Sequence, residues 1–168
     1  VGLHHRLDRD TSGLVLMTKQ RSANKEVSEL FKSRKIKKTY WAFCEKKRSI
    51  ENKKWTYRCH ISRSFSKRHP FIFKVSDQGD EAITDFKLLE EAESYVLFEC
   101  HPQTGRTHQI RVQLAEQGFP VLGDRVYGRK ATAERLMLHA HQLDFLFSGE
   151  RYKLQSTVSK TDLEALIR

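Results

Sequence analysis

The sequence predicts an α+β fold, a mixed and largely antiparallel sheet with flanking helices. Two observations predict it. Strand-like runs outnumber helical ones, and most are joined by hairpin-like turns, as at 76–80 and 148–150. No repeat, low-complexity tract or obvious linker divides the 168 residues, so one domain over 1–168 is expected, long enough to bury a core.

The elements follow in chain order. Residues 13–19 read as a short buried strand behind a polar turn. In the next stretch Ala23, Val27, Leu30 and Phe31 recur at helical spacing, with Ser22 as N-cap and basic residues crowding the last turn, where the helix dipole favours cations. Residues 39–44, β-branched and aromatic, read as a strand, and 55–75 as broken strand. Residues 82–89 and 95–100 read as neighbouring antiparallel strands connected through 90–94. Residues 107–117 read as a helix with Ile110 and Leu114 on one face, stopped by Gly118 before Pro120. Residues 138–147 alternate as a strand and turn back into 152–158. A terminal helix over 161–168 is capped by Ser159 or Thr161.

Composition narrows the function. The chain carries 31 Lys and Arg against 21 Asp and Glu, a formal charge of +10. Such an excess argues for a polyanionic partner rather than for a fold. No apolar run approaches the length of a membrane span, so no membrane partner is expected. Three separated cysteines point to a reducing compartment, and with no secretory leader visible the expected location is cytoplasmic. No histidine or cysteine spacing frames a metal, so none is expected.

Three segments stand out. HRLDRDTSG, residues 5–13, sets Asp8 between Arg6 and Arg9 on a polar turn. An aspartate flanked by arginines is ordinarily a weak surface charge pair. Two others accompany it: KTYWA at 38–42, and 101–128, which contains TGRTHQIR and VLGDRVYG. In this order and separation the blocks resemble the RluA-type family of RNA pseudouridine synthases. The resemblance runs from Leu3 to about Asp144 and implies that family's fold, a mixed sheet around a basic cleft. It also implies the activity, isomerisation of specific uridines to pseudouridine in structured RNA. Ribosomal RNA leads by family usage, with transfer RNA behind it.

That chemistry breaks a C–N glycosidic bond, turns the base and joins its C5 to the sugar. It uses no redox step and no phosphate input, so no cofactor is expected. It does call for a carboxylate, a cation that keeps it ionised, and a wall for the loosened base. By the resemblance the catalytic residues are Asp8, Tyr40 and Arg106, with Arg106 as the arginine paired to Asp8. Arg6 matches the position that enters the stack vacated by a flipped nucleotide. His5 would support the loop, Thr11 would help close it, and Ile110 or Leu114 would supply an apolar floor. Lys35, Lys37, Lys38, Lys46, Lys47, Arg48, Arg63, Lys67 and Arg68 form the expected phosphate-facing rim. VLGDRVYG reads as a structural clamp, and Gln113 stands where the family commonly has His.

The family's early strand before the aspartate loop is not seen in the sequence, so an N-terminally truncated catalytic domain is expected. It would be a monomer that self-associates if a sheet edge is left open. The rival reading is a non-catalytic RNA-binding or remodelling module derived from a synthase. The two part at Asp8, which only the enzyme needs.

Overall fold

A computed structural model describes residues 1–47, 49–64, 72–128 and 132–167. The N-terminal segment holds three two-residue strands, β1 (Gly2–Leu3), β2 (Ser12–Gly13) and β3 (Met17–Thr18), followed by helix α1 (Asn24–Lys32). Then come β4 (Lys37–Cys44), β5 (Lys54–Ser64), β6 (Ile72–Val75), β7 (Asp80–Glu91) and β8 (Val96–Pro102). Helix α2 (Gln109–Glu116), the hairpin β9 (Leu138–Phe147) and β10 (Glu150–Gln155), and helix α3 (Lys160–Glu164) complete the chain.

Seven strands form one sheet in the order β10-β9-β4-β8-β7-β5-β6, every pair antiparallel, and β2 joins β9 in parallel. The expected α+β architecture is what is observed. The two-residue turn between β9 and β10 has Ser148 and Gly149 both at positive φ, the backbone that matches strand twist in a tight hairpin. On β10, the outermost strand of the sheet on that side, Arg151 and Lys153 guard the edge, as charges do on natural edges.

The main core lies around β4 and β8: Ala42, Phe43, Leu97, Phe98 and Cys100 are sealed, together with Leu114 of α2. The cysteines are free thiols. Helix α2 is buried on more than an apolar stripe, because Gln109, Arg111 and Gln113 are buried too. Gln113 bonds Thr84 and the Ala82 carbonyl, so it ties helix to sheet rather than touching a loop.

Three expectations need correction. Residues 13–19 are not one buried strand. Leu14 and Leu16 pack toward Ile36, Leu143 and Phe145, whereas Val15 and Met17 face solvent, and only two-residue pairings form. Ser22 does not cap α1; it lies in a 3-10 turn (Arg21–Ala23), and the helix starts at Asn24 without a side-chain cap. The terminal helix is shorter than expected, although Ser159 does cap it, through a reciprocal bond with Asp162.

Candidate active site

The loop carrying Asp8 is held at both ends. At its exit, Ser12 and Gly13 pair with His139 and Ala140 of β9, and the Ser12 hydroxyl lies 2.7 Å from His139 Nδ1. At its entry, His5 Nε2 accepts the Leu16 N–H at 2.7 Å while its ring stacks on Phe31. Between them the Thr11 N–H closes a turn onto the Asp8 carbonyl. His5 thus joins the entry of the loop to Leu16 and to Phe31 of α1. The Thr11 hydroxyl is buried and has no hydrogen-bond partner among the described residues.

Strand β4 supplies Tyr40. Between the pairs Thr39–Gln142 and Tyr40–Ala140, β9 advances two residues while β4 advances one, so His141 is an extra, bulged residue. Bulges re-aim side chains beside functional sites. Here the register changes next to Tyr40, which lines the same cleft as Asp8. Burial, reinforced by the Asp8 charge, pushes the Tyr40 hydroxyl up to about 12, so it stays protonated near neutrality.

The arginine on Asp8 is Arg111. Its Nη1 lies 3.4 Å from Asp8 Oδ2, while Nε and Nη2 make a two-pronged pair with Asp124 at 2.7 and 2.9 Å. Asp124 also accepts the N–H groups of Val126 and Tyr127, and the guanidinium lies over the Tyr127 ring. Burial alone would lower the Arg111 pKa; Asp124 and then Asp8 more than reverse it. Burial likewise works upward on Asp124, and Arg111 and the two backbone donors hold it below the usual carboxylate range.

Arg106 is placed elsewhere. Its Nε donates to the Glu81 carbonyl at 2.9 Å, and its Nη1 lies 3.8 Å from Asp80. It lines the cleft without meeting Asp8, and the expected Asp8–Arg106 pair is not formed. The signal that separates the two arginines was present in the sequence. Arg111 falls mid-helix between Ile110 and Val112, and an arginine in such company is buried only if paired. Arg106 precedes the helix.

Asp8, Tyr40 and Arg106 line a cleft of about 850 Å³, whereas Arg111 and Asp124 are not in its lining. Ile110 lines it, whereas Leu114 is sealed in the core and cannot serve as its floor. Arg6 is exposed and lines the cleft. Of the expected rim, Lys37 and Lys38 line the cleft, joined by Lys32 and Arg34, which the sequence reading missed. Lys38 is a wall residue more than a rim residue: its Nζ approaches the Thr104 carbonyl at 3.5 Å, and burial, then Arg34, lowers its pKa. Lys35 and Arg63 do not line the cleft. Lys46 and Lys47 are paired with Glu91 and Glu45 and also lie outside its lining. Arg48, Lys67 and Arg68 fall outside the described residues. Among the described residues no cluster of three or more His, Cys, Asp or Glu could hold a metal, and no helix is long and apolar enough to cross a membrane.

Asp8, held by Arg111, and Tyr40 of an antiparallel sheet thus line one cleft, and comparison with known proteins supplies the family. The family model described as RNA pseudouridylate synthase matches residues 1–116, and the chain belongs to that family. It is 35% identical over 143 residues to an uncharacterized RNA pseudouridine synthase of Zymomonas mobilis, covering 83% of this chain and 64% of that protein. It is 36% identical over 155 residues to ribosomal large subunit pseudouridine synthase D of Borreliella burgdorferi, covering 90% and 47%. The chain thus spans about half to two thirds of the length of these relatives. The solved structure of human RNA pseudouridylate synthase domain containing 1 superposes with a TM-score of 0.83 at 26% identity, over 94% of this chain and 69% of that one. Human RNA pseudouridylate synthase domain containing 4 gives 0.77 at 25%, over 98% and 74%.

Proposed function

We propose that this chain is the catalytic part of an RNA pseudouridine synthase that isomerises uridine within structured RNA, with ribosomal RNA as the leading substrate class. The observation that carries the reading is one cleft lined by Asp8 and Tyr40, with the Arg111 guanidinium on Asp8 from outside the lining. Arg111 takes the role of charge partner that the sequence reading gave to Arg106. Asp8 then serves either as nucleophile at the sugar or as base. Tyr40, protonated, offers a ring face to the loosened base and a hydroxyl donor; it can pass on the C5 proton only by releasing its own.

Arg6 fills the gap left by the extruded nucleotide, its guanidinium stacking on neighbouring bases. Lys32, Arg34, Lys37 and Lys38 meet backbone phosphates. Three free thiols suit a reducing cytoplasm.

The test is to map pseudouridine by mass spectrometry in cellular RNA from cells with the intact gene, without it, and with Asp8→Asn. At least one site is expected to vanish in the deletion and to stay absent in the variant, while the purified variant retains RNA affinity. Restoration of every site by Asp8→Asn would refute the enzyme reading in favour of a binding module.

A further inference from the structure

The VLGDRVYG loop has no step in the proposed chemistry, yet it is tightly constrained by its own contacts. Gly123 sits at φ +70, and a Cβ there would meet the Arg135 carbonyl at 1.9 Å. The Asp124 N–H bonds the Val121 carbonyl, and the Gly128 N–H bonds the Asp124 carbonyl. The Asp124 side chain is wholly buried and accepts two backbone donors besides the Arg111 fork. A carboxylate so determined does not move.

Its effect falls on Arg111. A guanidinium prefers to meet a carboxylate through two parallel bonds. Asp124 takes that fork and leaves only Nη1 for Asp8, at a longer distance. Among the described residues Asp8 Oδ1 accepts no hydrogen bond, so one oxygen of this cleft-lining carboxylate is uncommitted. The charges matter as well. Two carboxylates against one guanidinium leave the group with a net negative charge, the sign that favours a cationic sugar in the transition state.

We propose that Asp124 is a positioning residue, which withholds the Arg111 fork from Asp8 and so leaves Asp8 free to react. This rests on the reading of Asp8 as the reacting carboxylate. Without Asp124, Arg111 turns its fork onto Asp8 and locks it.

The test is Asp124→Asn, near-isosteric but uncharged, in the whole chain. Carboxyl-labelled aspartate NMR, with Asp8 assigned by its loss in Asp8→Asn, follows the Asp8 titration in wild type and variant. The expected result is an Asp8 titration displaced to lower pH in the variant relative to wild type. In single-turnover reactions on a large-subunit ribosomal RNA transcript, the rate should fall roughly ten-fold or more while RNA affinity changes less than about two-fold. An unmoved titration, or one moved to higher pH, overturns the proposal and leaves Asp124 a structural residue. If the wild-type protein forms no pseudouridine in the transcript, the titration still decides the positioning role, so the two readings fail separately. Should Asp124→Asn not fold, the wild type decides. The Arg111 Nε–H, assigned by its loss in Arg111→Lys, must stay protected from exchange while Asp8 is protonated. Loss of protection in step with Asp8 would show that Asp8 holds the guanidinium, and would overturn the proposal.

Discussion

Replacing Gly13 by Ala tests how closely the Asp8 loop must lie on the sheet. Gly13 has φ +111, a backbone region that side chains rarely adopt, and it pairs directly with Ala140 of β9. A Cβ there would stand 2.2 Å from the Ala140 carbonyl oxygen, about 0.8 Å inside the 3.0 Å below which real Cβ contacts essentially never fall. The obstacle is backbone in the middle of a sheet, so the loop must give way. The strained φ alone costs on the order of 1–3 kcal/mol, and a displacement near 1 Å at a reacting group can cost about a hundred-fold in rate. Gly13→Ala is therefore expected to lower Tm by roughly 5 °C and to slow pseudouridine formation about ten- to a hundred-fold. The rate is measured under single turnover, well below the new Tm. The control is Gly149→Ala: its φ is +83, but nothing lies within 4 Å of the added Cβ, and it sits at the far end of β9. It should lose stability and keep its rate. A wild-type rate in Gly13→Ala, or equal loss in both variants, would show that loop placement is not what the glycine secures.

The other expectations concern the cleft's cations. Arg111→Ala removes the partner of two carboxylates and leaves Asp124 buried and unpaired, so it should cost roughly 3 kcal/mol or more of stability and nearly all activity. Arg106→Ala, whose guanidinium is part-exposed on a carbonyl and a distant carboxylate, should fold normally and lose far less; the reverse order in thermal melts and rates would return the pairing role to Arg106. Lys38→Met should raise the apparent Kd for RNA at every sequence tested and reduce the slope of log affinity against log salt by about one. Because burial lowers the Lys38 pKa, wild-type affinity should begin to fall at lower pH on the alkaline side than the variant's does, and superimposable pH curves would exclude Lys38 from the phosphate contacts.

Most of the sheet could be read from residue patterns, because each strand carries its own alternation or β-branched run and the turns are marked by Gly, Ser and Asp. The reading failed at 13–19, where the four apolar residues Leu14 to Met17 looked like a buried strand. Their alternation serves a loop instead, with Leu14 and Leu16 anchoring it beneath α1 and the other two exposed. Asp8 and Tyr40 were legible through their motifs. Their meeting was not, since it depends on a parallel contact between residues 127 apart in sequence and on the extra residue His141 in β9. Arg111 was missed because its place between Ile110 and Val112 signals a buried partner without naming it, and only the fold brings Asp8 and Asp124 to it. Lys38 has the same history: composition counts it as one more surface charge, and only the fold reveals that its neighbours are a carbonyl and other cations.

The acid side of the stability profile should report on the same loop through His5. Its Nε2 accepts the Leu16 N–H, so the lone pair must be present and the ring neutral. Burial, with Lys38 and His4 adding to it, lowers its pKa from 6.5 to about 4. In the unfolded chain the ring takes up its proton near 6.5; in the folded protein it does so only near 4. Between those values the unfolded state binds more protons, so this contribution is complete above 6.5 and is lost as pH falls toward 4. Nearly one proton at 1.36 kcal/mol per unit makes the expected slope about 1 kcal/mol per pH unit near pH 5. His139, on which Ser12 rests, is lowered to about 4 as well, mainly by burial, and adds in the same direction. The decisive comparison is His5→Gln, whose side-chain oxygen can still accept the Leu16 N–H but cannot titrate. Urea unfolding at pH 7, 6 and 5 should give a shallower decline in the variant, the two curves separating by about 1 kcal/mol per unit. Parallel curves would mean that His5 takes up its proton equally in both states, and that the entry to the Asp8 loop does not depend on a neutral imidazole.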